Sequence, residues 1–304
     1  MTVLAEPRPP APLAEGPHAL VAELGIEMVS VSGGRFVMGS DGDCAADSCS
    51  VFVEAEDGLP RSRAAGWVRS PAIANPRAVG TRASLRSREC PCHPVELSPY
   101  QIGRYPVTVA QFATFARLTQ RRYAAAPAAR PSGADDRYLP VSFVSWDDAT
   151  GFCRWLSSQT GVAFRLPTEA EWEMAARGTD GREYPWGNDP PTAWRCNFGG
   201  EVGTATDVRS YPAGAAPFGC MDMAGNVWEW CGDWFDPHYY QNAAPSDPSG
   251  PAGGLNRVIR GGAYDTETAA LRCAARFYDH PGGPTFFPCG FRVAVSACPR
   301  LISS

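Results

Sequence analysis

The stretch MDMAGNVWEWCGDW (221–234) constrains the fold more than any other part of the chain. Its tryptophans and methionines demand burial, yet Asp222, Asn226, Glu229 and Asp233 are threaded among them. A buried carboxylate without a counter-charge is costly. The fold must therefore bring metal ions, arginines or a dense polar network to this segment.

The chain as a whole suits such an arrangement. With 31 Gly, 29 Pro and nine Trp in 304 residues, it points to a loop-rich fold rather than a helical bundle. A net charge of −5 argues against a nucleic-acid surface, which needs clustered basic groups. All 27 basic residues are Arg. Without lysine, Schiff-base catalysis, pyridoxal phosphate anchoring and a Walker-type P-loop are excluded. No apolar run is long enough for a membrane span, and the N-terminus lacks a basic segment followed by an apolar one. A cytoplasmic protein is expected, with its thiols reduced. The odd count of 11 Cys also fits poorly with a complete disulfide framework.

Residues 1–25, rich in Pro, Ala and Glu, read as a poorly ordered leader. MVSVSGGRFVMGS (28–40) reads as strand, Gly-Gly turn and strand. Residues 41–91 have no clear period and read as a long Cys-containing insertion. The remainder of 26–304 is expected to form a single domain. VAQFATFARLTQ has helical spacing. Ser145 and Thr168 are N-cap signals for two main helices in the first half, with Glu171 completing a capping box after Thr168. Beyond Gly178 the chain reads as turns and short aromatic segments.

GGRFVMGS (33–40), HPVELSPYQIGRYPVT (93–108), PVSFVSWDDATGFCRWL (140–156) and RLPTEAEWEMAARG (165–178) occur in that order. They are followed by YPWGN (184–188), GCMDMAGNVWEWCGDWFD (219–236), RVIRGGAY (257–264), RCAAR (272–276) and GFRVA (290–294). This series resembles the formylglycine-generating enzyme, or sulfatase-modifying-factor, family. The resemblance implies an α+β fold, a variant of the C-type lectin-like fold with little regular secondary structure and bound calcium. It would place Asp222, Gly225, Val227 and Glu229 around one calcium ion, a mixture of hard oxygens that suits it. Asn197 and Phe198 match part of a second calcium site, which Glu201 or Asp207 would have to complete. The alternative is that Asp222 and Asn226 cap turns and Glu229 meets an arginine.

The resemblance also implies two copper-binding cysteines between GGAY and RCAAR. The intervening DTETAAL (265–271) contains none, and sliding the alignment puts Thr266, Thr268 or Ala263 at a thiol position. Hydroxyls do not replace thiolates on Cu(I), so ordinary formylglycine synthesis is not expected. The His-x-x-x-His-x-Glu signature of the ergothioneine sulfoxide synthases is also missing. A redox metal, copper or iron, could instead sit at Cys44, Cys49, Cys90, Cys92 and His93, beside a surface-loop reading of the same residues. The groove implied by the resemblance holds Tyr264, Asp265, Glu267, Arg276, Tyr278 and His280, with Cys289 as a minor candidate nucleophile. Cys153, Cys231 and Cys273 read as buried structural thiols.

Three functions follow as expectations. The first is an oxidoreductase that modifies a peptide or a peptide-derived small molecule. The second is a calcium-stabilised binding module without catalysis. The third is formylglycine synthesis on sulfatase cysteine with relocated thiols.

Overall fold

The computed structural model describes residues 17–40, 86–121, 133, 135–282, 285 and 287–296. Four α-helices lie among them, all before residue 178: α1 (Pro17–Glu23), α2 (Val109–Leu118), α3 (Trp146–Thr160) and α4 (Glu169–Arg177). The last three begin in capping boxes, Thr108 with Gln111, Ser145 with Asp148 and Thr168 with Glu171. Each box satisfies orphan N–H groups in both directions. Gly161 closes α3 in the left-handed region at φ 70°, where a residue without Cβ is favoured.

Helix α1 is a correction to the expected leader. Leu20 is 2% exposed and shares a core with Val107, Phe115, Phe152 and Phe291. Val21, Leu24 and Ile26 pack against the same core, so the folded part begins before residue 26.

The strands form three small sheets. Strand β1 (Met28–Val31) pairs with β4 (Tyr100–Gly103), which pairs with β9 (Ala294–Ser296), all antiparallel. Strand β2 (Gly34–Met38) pairs with β3 (His93–Leu97). The third sheet runs in the order β7 (Arg276–Asp279), β6 (Arg257–Arg260), β5 (Trp228–Trp234), β8 (Cys289–Gly290). Thus the segment 228–234 is a central strand, buried on both sides. It packs on α4, whose nine residues are all buried, including Glu169, Glu171, Glu173 and Arg177.

Arginines neutralise most of these buried acids. Arg276 Nε and Nη2 donate to Glu169 at 2.6 and 2.8 Å. Arg260 pairs with Glu173, which also accepts from Arg177 at 2.8 Å. Arg165 forks onto Glu171 at 2.6 and 2.6 Å, and Arg272 onto Glu89 at 2.6 and 2.6 Å. The planar guanidinium suits such forks better than an ammonium.

Candidate functional site

The same logic answers the question posed by 221–234. Glu229 is fully buried on β5. Its Oε2 accepts from Arg292 Nε at 2.6 Å and Trp172 Nε1 at 2.8 Å, and its Oε1 from Arg292 Nη2 at 2.6 Å. Arg292 Nη1 and Nη2 also donate to the carbonyls of Gly103 and Met221 at 2.8 and 2.9 Å. Both oxygens and the charge of Glu229 are thereby occupied, so it does not fit a calcium ion without breaking this pair. Among the described residues, no group of three or more His, Cys, Asp or Glu is placed to hold a metal.

Asp222, at φ 56°, lies in the bends that lead into β5. Its Oδ2 accepts from Asn226 Nδ2 at 2.8 Å, and burial pushes its carboxyl up to about 7. Asn226 Oδ1 accepts from Thr206 N–H at 2.9 Å. Its own N–H donates to the Asn197 carbonyl at 2.9 Å, against which Gly225 is pressed. Asn197 Oδ1 is buried without a hydrogen bond, as is the hydroxyl of Thr204, whose carbonyl accepts from Asn197 Nδ2 at 2.9 Å. Asp207, a possible co-ligand, instead pairs with Arg209 at 2.8 Å. Glu201 is exposed on the loop that follows Phe198.

The groove candidates divide between two ends of the third sheet. Tyr264, Asp265 and Glu267 lie in the β6–β7 loop, with the first two half-buried and the third exposed. That loop is docked onto the 197–200 segment: Gly200 N–H donates to the Tyr264 carbonyl at 2.7 Å and Gly199 N–H to that of Thr266 at 2.9 Å. Phe198 and Trp186 pack nearby on one small cluster, Trp186 stacking on Tyr184 at 5.3 Å. Thr266, at one of the expected thiol positions, is 1% exposed, and its hydroxyl bridges the N–H and C=O of Ala263.

His280 follows the far end of β7, a strand of about 13 Å at ~3.3 Å per residue. Its Nδ1 lies 3.0 Å from the Gly282 carbonyl and 3.2 Å from the Gly282 nitrogen, within its own turn. Tyr278 packs at a tilt against Phe235, ring centres 4.3 Å apart. Arg276 and Cys289 are corrected outright. Arg276 is fully buried on Glu169, and Cys289 is fully buried with its thiol pushed well up by desolvation. Neither reaches a groove.

Of the supposed insertion ligands, Cys44 and Cys49 lie outside the described residues. Cys90 is disulfide-bonded, contrary to the expectation of reduced thiols, so it offers no thiolate. Cys92 is half-buried and in no disulfide, and His93 packs edge-on to Tyr240 at 4.7 Å. Cys153 and Cys273 are buried thiols pushed up to about 12 by desolvation.

A family model described as the sulfatase-modifying factor enzyme 1-like domain matches residues 19–297. The chain belongs to this family. A formylglycine-generating enzyme of Streptomyces coelicolor is 38% identical over 267 residues, with 69% of this chain and 82% of the relative covered. A hercynine oxygenase of Mycolicibacterium thermoresistibile is 33% identical over 64% of this chain, which spans half of that longer protein. Among solved structures, PvdO from Pseudomonas aeruginosa aligns with a TM-score of 0.66 at 25% identity, covering 90% of this chain and 95% of that one. The mixed helix-and-sheet architecture expected from the sequence is therefore the family's fold. No helix among the described residues is long and apolar enough to cross a membrane.

Proposed function

We propose that this chain is a divergent oxidoreductase of the family, acting on a peptide or a peptide-derived small molecule. The observation that carries the proposal is its 38% identity to a formylglycine-generating enzyme over 82% of that enzyme's length. The surface formed by Tyr264, Asp265, Glu267, Phe198 and Trp186 would receive the substrate. Carboxylates and a phenol there suit peptide N–H groups, and the rings suit apolar side chains. The described residues offer no cluster of His, Cys, Asp or Glu to hold copper or iron.

One observation favours a second reading as a binding module. The DTETAAL segment (265–271) of the β6–β7 loop carries no thiol, and Cys273, later in that loop, and Cys289 are sealed in the core. The deciding experiment combines elemental mass spectrometry of the unchelated protein with oxygen uptake on a Cys-x-Pro-x-Arg peptide. A stoichiometric redox metal with oxygen consumption supports the oxidoreductase. Peptide binding without metal or oxygen uptake sinks it in favour of the binder.

A further inference from the structure

Away from the β6–β7 loop, the outer end of the third sheet holds a cation whose natural partner has been turned aside. Arg257 opens β6, with Trp234 of β5 and Asp279 of β7 directly opposite it on either side. An Arg and an Asp facing each other across antiparallel strands ordinarily pair. Here they do not. Asp279 accepts instead from Thr285 Oγ1 at 2.6 Å and His280 N–H at 2.8 Å, committing both oxygens to the turn after β7. Arg257 lies the other way. Its guanidinium carbon sits 3.4 Å from the centre of the Trp234 ring and 3.8 Å from that of Trp146.

Both rings are held in place. Trp146 Nε1 donates to the Cys231 carbonyl at 2.8 Å. Gly254 packs so closely on Trp234 that a Cβ there would come within 3.1 Å of the Trp234 Cβ. Arg257 Nη1 donates to the Gly232 carbonyl at 2.7 Å, while Nε is buried without a partner. No described carboxylate forms an ion pair with it. Two ring faces lower the cost of holding the charge but do not neutralise it. With two rings against the guanidinium, Nε enclosed and Nη1 on the Gly232 carbonyl, Nη2 and the second N–H of Nη1 are what remain for a ligand. They form a planar fork, matched to a planar oxyanion.

We propose that Trp146, Arg257 and Trp234 form a recognition site for a single carboxylate, such as the C-terminus of a peptide. A polyanion is disfavoured because the carboxylate of Asp147, which acts on this guanidinium through space, weighs against extra negative charge. Leu255, 82% exposed and two residues before Arg257, supplies an apolar neighbour for the last side chain of such a peptide.

The test is a tryptophan-fluorescence titration of the full chain with acetyl-Ala-Leu as the free acid, its C-terminal amide and inorganic phosphate. A saturable change with the acid is expected, at least about tenfold weaker for the amide, one charged fork being worth at least 1.4 kcal/mol. Arg257→Met keeps the stem between the rings and should abolish saturation, while Arg257→Lys should weaken it severalfold. Equal titration by acid and amide in the wild type overturns the site, as does unchanged titration in a folded Arg257→Met protein. Phosphate binding as tightly as the acid overturns the carboxylate assignment.

Discussion

Arg292, near the end of the chain, holds Glu229 through two hydrogen bonds of 2.6 Å, and the pair sits beneath Trp172 with neither side chain exposed. It joins β5 to the segment leading into β9 and so ties the third sheet to the first. Because the charges neutralise each other, removing one leaves the other buried and alone. Glu229→Gln is expected to cost about 3–5 kcal/mol of unfolding free energy, read from urea midpoints. Adding Arg292→Met to Glu229→Gln should recover part of that loss. Additive losses in the double variant would argue against the coupling.

Protonation gives a second prediction. Burial pushes the carboxyl of Asp233 up to about 8 and that of Asp222 to about 7. Between about pH 4 and these values the native state keeps protons that the unfolded chain releases. Each group's stabilisation is therefore complete below the unfolded pKa and lost as pH rises through the folded one. The slope is at most about 1.4 kcal/mol per pH unit per group. Asp233 Oδ2 accepts the Glu169 N–H at 2.8 Å, a bond that an amide oxygen can replace. Asp233→Asn should match the wild type near pH 4 and exceed it at pH 8.5. Parallel stability curves would refute this.

Chelation provides a third. With Glu229 satisfied by Arg292, segment 222–229 should hold its structure without calcium. The melting temperature in millimolar calcium should match that in millimolar EGTA. A metal bound a hundredfold tighter than its concentration would contribute about 2.7 kcal/mol, which a melting curve readily detects. Such a shift would reopen Asn197 Oδ1 as a ligand, and Asn197→Ala would then remove it.

Thiol reactivity gives a fourth. Among the described cysteines in no disulfide, Cys92 alone is half-buried and the others are buried. A maleimide applied to the folded protein should label Cys92 well before Cys153, Cys231, Cys273 or Cys289, as peptide mapping would resolve. Rapid labelling of Cys289 would restore it as a candidate nucleophile.

What could be seen in the sequence was local. Thr168 announces its helix because a cap and its reciprocal acid sit three residues apart, and Ser145 does so by a cap followed by acids in the first turn. The leader hid α1, since the spacing of Leu20, Leu24 and Ile26 is diluted by Pro, Ala and Glu. The ionic network was invisible for a different reason. Glu229 and Arg292 are 63 positions apart, and Glu89 and Arg272 are 183 apart. No local pattern says which arginine meets which acid. The groove candidates come together only through the family resemblance, whereas the third sheet holds Tyr264 and His280 at opposite ends. Arg257 carries no local signal in the sequence, because its significance lies in a neighbour that bonds elsewhere.

Glu89 has one more implication. Its carbonyl accepts the N–H of Ser40 at 3.1 Å, its Oε2 accepts the Ser40 hydroxyl at 2.8 Å, and its carboxylate is clamped by Arg272. The residues on either side of segment 41–85 are therefore fastened to each other and to the domain, whatever lies between them. Evolution can lengthen, shorten or replace such a segment at little cost to the body that carries it. Position 40 is thus a port on which a new specificity can be installed while the domain beneath is inherited intact.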